Sequence, residues 1–193
     1  PLTQAKGEWR FDAAAGREEI LFRRIGRDEL DTIQTCLAYV DAQNDYADMM
    51  RKDGVAPYAQ RFVSSPGKMD GLYWPAKPGQ EQSPIGPLLA NARAEGYGEK
   101  TPSGKREPYH GYYYRMLKRQ GKDASGGAYD YQVNGHMIGG FAVIAFPAKY
   151  GASGIMTFIV NQDGIVYQKN LGPETATITR RIKAFNPDKT WAP

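Results

Sequence analysis

Along the chain, the first apolar pattern is a short alternation. In the run Gly-Glu-Trp-Arg-Phe-Asp from Gly7, Trp9 and Phe11 alternate with Glu8 and Arg10, which predicts a half-buried strand. Strands need partners, and the next strand-like run begins only near Tyr112. The strand therefore joins the edge of a distant sheet or ends an upstream segment. From Arg17 the spacing turns helical, with Gly26 as a break and Asp28 as the N-cap of a second helical segment. Leu30, Ile33, Leu37 and Val40 fall on one face of that segment, predicting that it packs on a sheet. Cys36 lies close to this stripe with no histidine nearby in sequence, so it reads as a small buried side chain rather than a nucleophile. Asp53-Gly54 predicts the helix end and a turn.

Residues 64–108 are dense in turn formers: Ser65-Pro66-Gly67, Asp70-Gly71, Trp74-Pro75, Pro78-Gly79, Ser83-Pro84 and Gly86-Pro87. So long an irregular connection is uncommon in a compact domain and is often functional when ordered. Leu72, Tyr73 and Trp74 would pin it to the body, Leu88, Leu89 and Ala92 suggest a short helix after Pro87, and residues 98–107 read as an exposed turn.

Strands follow. Tyr112, Tyr114 and Met116 alternate with Tyr113, Arg115 and Leu117, and Ala128 to Val133 gives a weaker strand. Phe141 to Phe146 is apolar on both faces, the pattern of a central strand covered on each side. Ile155–Val160 and Ile165–Lys169 flank Asn161-Gln162-Asp163-Gly164, a hairpin turn in which Gly164 supplies the left-handed residue. A final helix is expected from Pro173, with Ile178, Ile182 and Phe185 on one face and Asn186-Pro187 as its stop. The elements predict an α+β fold in which an N-terminal helix packs on an antiparallel meander and a C-terminal helix is added. Residues 1–16 read as a remnant or terminal strand of an upstream segment, and 17–193 as one domain with a long loop at 64–108.

Composition narrows the chemistry. The 193 residues can bury a core without staples. A single cysteine excludes an internal disulfide framework and any zinc site built on clustered cysteines. Two histidines, His110 and His136, are too few for most His-rich metal centres, so neither a metal nor another cofactor is called for. No apolar run reaches the roughly 18 residues of a membrane span. Thirteen tyrosines, 22 glycines and 13 prolines favour a turn-rich sheet protein over a helical bundle. The chain opens Pro1-Leu2 without methionine, which suggests that an upstream piece was removed. A cleaved signal peptide would imply export.

Two features carry candidate chemistry. His110, among Tyr109, Tyr112 and Tyr113, can be a general base or ligand group in a tyrosine-lined cleft, or a strand-entry histidine bonded to backbone. Trp74, Tyr109, His110, Tyr112 and Arg115 are the ligand-binding candidates, and His110 is the sole catalytic one. A concave pocket beside an Asp or Glu would favour an enzyme acting on an envelope polymer; a packed His110 would favour a binding module. The second feature is charge. Between Tyr97 and Lys122 there are seven basic residues against Glu99 and Glu107, a local surplus larger than the whole chain's +4. Lys100, Lys105, Arg106, Lys118 and Arg119 are therefore candidates for binding an anionic polymer, with nucleic acid the less favoured form and a solvated surface the bland explanation. No Gly-x-Ser-x-Gly elbow and no phosphate loop is present. Asp45 to Gly54 lacks the oxygen ligands of a calcium loop at Ala47, Met49 and Ala56.

Several runs together resemble one family. They are Ser-Ser-Pro-Gly-Lys-Met-Asp-Gly-Leu-Tyr-Trp-Pro from Ser64, Ser-Pro-Ile-Gly-Pro-Leu from Ser83, Tyr-His-Gly-Tyr-Tyr-Tyr-Arg from Tyr109, Gly-Gly-Phe-Ala-Val-Ile-Ala-Phe-Pro from Gly139 and Met-Thr-Phe-Ile-Val-Asn-Gln-Asp-Gly-Ile-Val-Tyr from Met156. They are similar to the bacterial domain of unknown function 2950 from about Glu8 to Trp191. The resemblance implies export, to the periplasm or beyond, and a longer N-terminus; it implies no activity. A weaker resemblance, in element order, is to the globular part of pilins and pseudopilins, although this chain lacks their hydrophobic N-terminal helix half. The expectation is an exported envelope protein serving as a binding or assembly module, with envelope proteins or an anionic envelope polymer as partners.

Overall fold

The computed structural model describes residues 1–5, 7–85 and 108–193. Two short strands, β1 (Leu2–Ala5) and β2 (Glu8–Phe11), form an antiparallel hairpin at the N-terminus. The predicted strand at Glu8–Phe11 thus pairs with its immediate neighbour and not with the distant sheet. The register places Leu2 opposite Phe11 and Gln4 opposite Trp9, so one face of the hairpin is largely apolar.

Helix α1 (Ala13–Met49) is continuous. Its N-cap is Asp12, whose Oδ1 accepts from the Ala14 and Ala15 amides at 3.0 Å, and not Asp28. Gly26 does not break it, because the roughly 1 kcal/mol cost of a mid-helix glycine is small beside the packing of so long a helix. The buried face is also rotated from the predicted one. It carries Thr32, Cys36, Tyr39, Val40, Gln43, Tyr46 and Ala47, while Leu30 is 66% exposed on the opposite side. Polar Thr32 and Gln43 on the core face hid the true stripe. Asp53-Gly54 comes after the helix has ended. Both residues have positive φ and close a tight turn in which Lys52 and Val55 exchange backbone hydrogen bonds.

The main sheet contains β3 (Tyr112–Leu117), β8 (Ala142–Pro147), β9 (Met156–Asn161) and β10 (Tyr167–Asn170), in the antiparallel order β10-β9-β8-β3. Two small ladders interrupt the return from β3 to β8: β4 (Arg119–Gln120) with β5 (Tyr129–Asp130), and β6 (Gln132–Val133) with β7 (His136–Met137). One sheet face meets α1, where the Tyr114 hydroxyl approaches Thr32 Oγ1 at 3.4 Å and the rings of Tyr112 and Phe158 lie 5.8 Å apart. The other face meets α2 (Thr175–Arg181) and the C-terminal tail, through Arg115 to the Thr179 and Ile182 carbonyls and Tyr167 against Phe185. Strand β8 is therefore covered on both sides, which is why its sequence is apolar throughout. Helix α2 is shorter than predicted: it starts after Pro173 and ends at Arg181, before Asn186-Pro187 is reached.

Residues 50–85 wrap the C-terminal half of α1. Gln43 is the anchor, since its amide donates to the Ala59 carbonyl and accepts from the Ala59 amide, at 2.9 and 2.8 Å. Tyr46 donates to the Met69 carbonyl at 2.9 Å. Leu72 is fully buried and Trp74 nearly so. No helix among the described residues is long and apolar enough to cross a membrane.

Candidate functional site

The site is built by a turn that positions a histidine. Tyr109 and Tyr112 exchange backbone hydrogen bonds at 2.9 Å, and between them His110 and Gly111 have φ of 46° and 73°. This is the mirror-image turn that favours Asn, Asp or Gly at its first central position. The protein follows that preference at Asn134-Gly135 and Asp53-Gly54. At His110 the first central residue is a histidine, which with Asn and Asp is among the non-glycine residues that tolerate the left-handed region best. The turn aims the imidazole at α1, where Nδ1 lies 3.2 Å from Asp31 Oδ2. The Tyr109 ring stacks edge-on against it at 4.1 Å.

Around this pair lies an open groove of about 540 Å³, bounded by α1, the His110-Gly111 turn and the 149–153 turn. Arg24, Arg27, Asp28 and Asp31 line its helical wall at i, i+3, i+4 and i+7, and Lys149 and Ser153 line the opposite side. The walls are tied together: Arg24 Nη2 donates to the Ala152 carbonyl at 2.8 Å. One turn further along α1, Glu29 Oε1 accepts from the Ile155 and Met156 amides at 2.8 and 2.9 Å. Burial raises the Asp28 carboxyl above the usual carboxylate range, against the lowering pull of Arg24 and Arg27. Gly111 is required at the groove floor, because a Cβ there would sit 2.9 Å from Ser153 and 3.0 Å from Asp28 Oδ2.

Among the described residues the groove has no activated nucleophile. Ser153 Oγ accepts from the Lys149 amide at 3.0 Å and donates to the Lys149 carbonyl at 3.2 Å, so it closes its own turn. Cys36 is fully buried, with its thiol pushed up to about 12 by burial. Among the described residues no group of three or more His, Cys, Asp or Glu side chains is placed to hold a metal ion.

The sequence candidates separate in space. His110 lines the groove and Tyr109 stacks on it. Tyr112 is fully buried and donates to the Met156 carbonyl at 3.0 Å, with burial raising its phenol. Trp74 is buried, its indole N–H donating to the Glu81 carbonyl at 3.0 Å. Arg115 is committed to the last turn of α2, and desolvation lowers its pKa. Lys118 and Arg119 are exposed, Arg119 lying 3.9 Å from Asp130. Lys100, Lys105 and Arg106, like the short helix expected after Pro87 and the turn at 98–107, fall outside the described residues. The helical wall was missed in the sequence. Its signal was a charged stripe at helical spacing where an apolar one was sought.

These features define an α+β domain with one long helix laid on an antiparallel meander and a charged groove where helix and sheet turns meet. The chain belongs to the family described as Protein of unknown function (DUF2950), whose profile matches residues 1–193. No curated protein and no solved structure matches, and the likeness to pilins is not confirmed.

Proposed function

We propose that the protein is a binding module of the bacterial cell envelope whose binding site is the groove at His110. The observation that carries this is the His110–Asp31 pair, held by a tight left-handed turn at the edge of an open cavity lined by Arg24, Arg27 and Lys149. Arg24, tied to the Ala152 carbonyl, and the exposed Arg27 and Lys149 outnumber the two carboxylates and suit a ligand bearing phosphate or carboxylate groups. Export, to the periplasm or beyond, belongs to the same proposal and is supported by the family's expected location. The second reading, a hydrolase acting on an envelope polymer, draws on the same pair. Asp31 orients the imidazole as a general acid–base catalyst requires. Against it stands the commitment of the Ser153 hydroxyl to its own turn.

One experiment separates the two. Soluble cell-wall polymer fragments are incubated with the protein and recovered for mass analysis. Retention of intact fragments, weakened by Arg27→Gln, supports the module. Cleavage that disappears in His110→Asn, a residue suited to the turn, supports the enzyme. Fragments neither retained nor cleaved would contradict both readings.

A further inference from the structure

The charges of the groove run base-first along the helix. Arg24 and Arg27 precede Asp28 and Asp31, so Arg24–Asp28 and Arg27–Asp31 are each four residues apart and within reach of one another. Neither ion pair forms among the described residues. The pairs that do close run acid-first, Glu19–Arg23 within α1 and Asp48–Arg51 at its end, both at 2.7 Å, whereas the groove's pairs run base-first, the weaker order on a helix. In the groove the neighbouring turns engage these charges instead. The Ala152 carbonyl takes Arg24, His110 takes Asp31, and Asp28 is drawn in beside Gly111. The result is a groove whose helical wall is cationic at Arg24 and anionic at Asp31, about 10 Å apart along the axis, with Arg27 and Asp28 adjacent between them and the two pairs centred about 6 Å apart at 1.5 Å per residue.

A purely anionic ligand would meet only half of that wall favourably. We propose that the groove takes a zwitterionic ligand, its anionic group against Arg24 and Arg27 and its ammonium group against Asp28 and Asp31. This rests on the groove being a binding site. Each end then receives the charge-assisted hydrogen bonds that its own helix neighbours do not supply. His110 holds the Asp31 carboxylate in place for the ammonium group.

The test uses the full chain and three probes of one carbon skeleton: 6-aminohexanoate, hexanoate and hexylamine. Binding is followed through the Gly111 and Ser153 amide resonances. The zwitterion is expected to bind at least about tenfold more tightly than either singly charged probe. Asp28→Asn and Asp31→Asn should each erase most of that advantage while leaving hexanoate affinity the same or better, with circular dichroism confirming that both variants are folded. Equal affinity for 6-aminohexanoate and hexanoate would overturn the zwitterion assignment and leave an anion-binding groove standing. Tightest binding of hexylamine would also overturn it. If no probe shifts these amides, the assignment and the groove reading both fall.

Discussion

Asp31 on α1 meets His110 on the turn before β3 at 3.2 Å, carboxylate Oδ2 to imidazole Nδ1. A carboxylate can only accept, so the contact places the ring proton on Nδ1. That contact ties the helix to the turn and gives the groove its fixed edge. Asp31→Asn should keep the fold but loosen the imidazole. The measurement is the pair of His110 ring nitrogen shifts, which in the variant should lose the Nδ1–H tautomer preference seen in the parent.

Asp28 should trade stability for function. Its folded pKa is raised, so folding is favoured by protonation. The stability it contributes is present below the ordinary carboxyl value of 3.8 and is lost as pH rises through the folded value. At neutral pH Asp28→Asn should therefore raise the melting temperature, and the gain should vanish in acid, where the parent side chain is already neutral. Melting curves across pH 3 to 7 (roughly the span in which carboxyls titrate) check this. An Asp28→Asn variant less stable than the parent at pH 7 would contradict it.

Gln43 should be among the most sensitive positions in the core. Replacing it by Leu leaves the Ala59 amide and carbonyl buried without their partners. The expected cost is about 2–4 kcal/mol, read from urea unfolding.

Arg115 should act on structure and not on binding. Arg115→Met frees the Thr179 and Ile182 carbonyls. Amide exchange in residues 175–182 should accelerate while probe binding at the groove is unchanged.

The N-terminal hairpin should be nearly dispensable for stability. The described side chains of β2 are all exposed, Trp9 by 67% and Phe11 by 84%. Deleting residues 1–11 keeps the Asp12 cap and should cost less than about 1 kcal/mol.

What the sequence disclosed follows from physical range. Strand β8 was legible because burial on both faces leaves an apolar run, and the Asn161–Gly164 hairpin because Gly164 has φ of 74°. The core face of α1 was misread because its polar members are satisfied where periodicity does not look: Thr32 donates back to the Asp28 carbonyl of its own helix, and Gln43 pairs with Ala59 sixteen residues on. His110 stood out as a residue type. Its partners did not, since helix packing alone brings Asp31 to the turn before β3. Trp74, Tyr112 and Arg115 drew notice for chemistry that their burial and backbone bonds direct inward.

The most direct test of the groove as the binding site is a titration of the full chain with inorganic phosphate, followed by amide chemical shifts. The account predicts saturable shifts at Gly111, Ala152 and Ser153 that weaken in Arg27→Gln. Shifts confined to Lys118 and Arg119, or none that saturate, would contradict it.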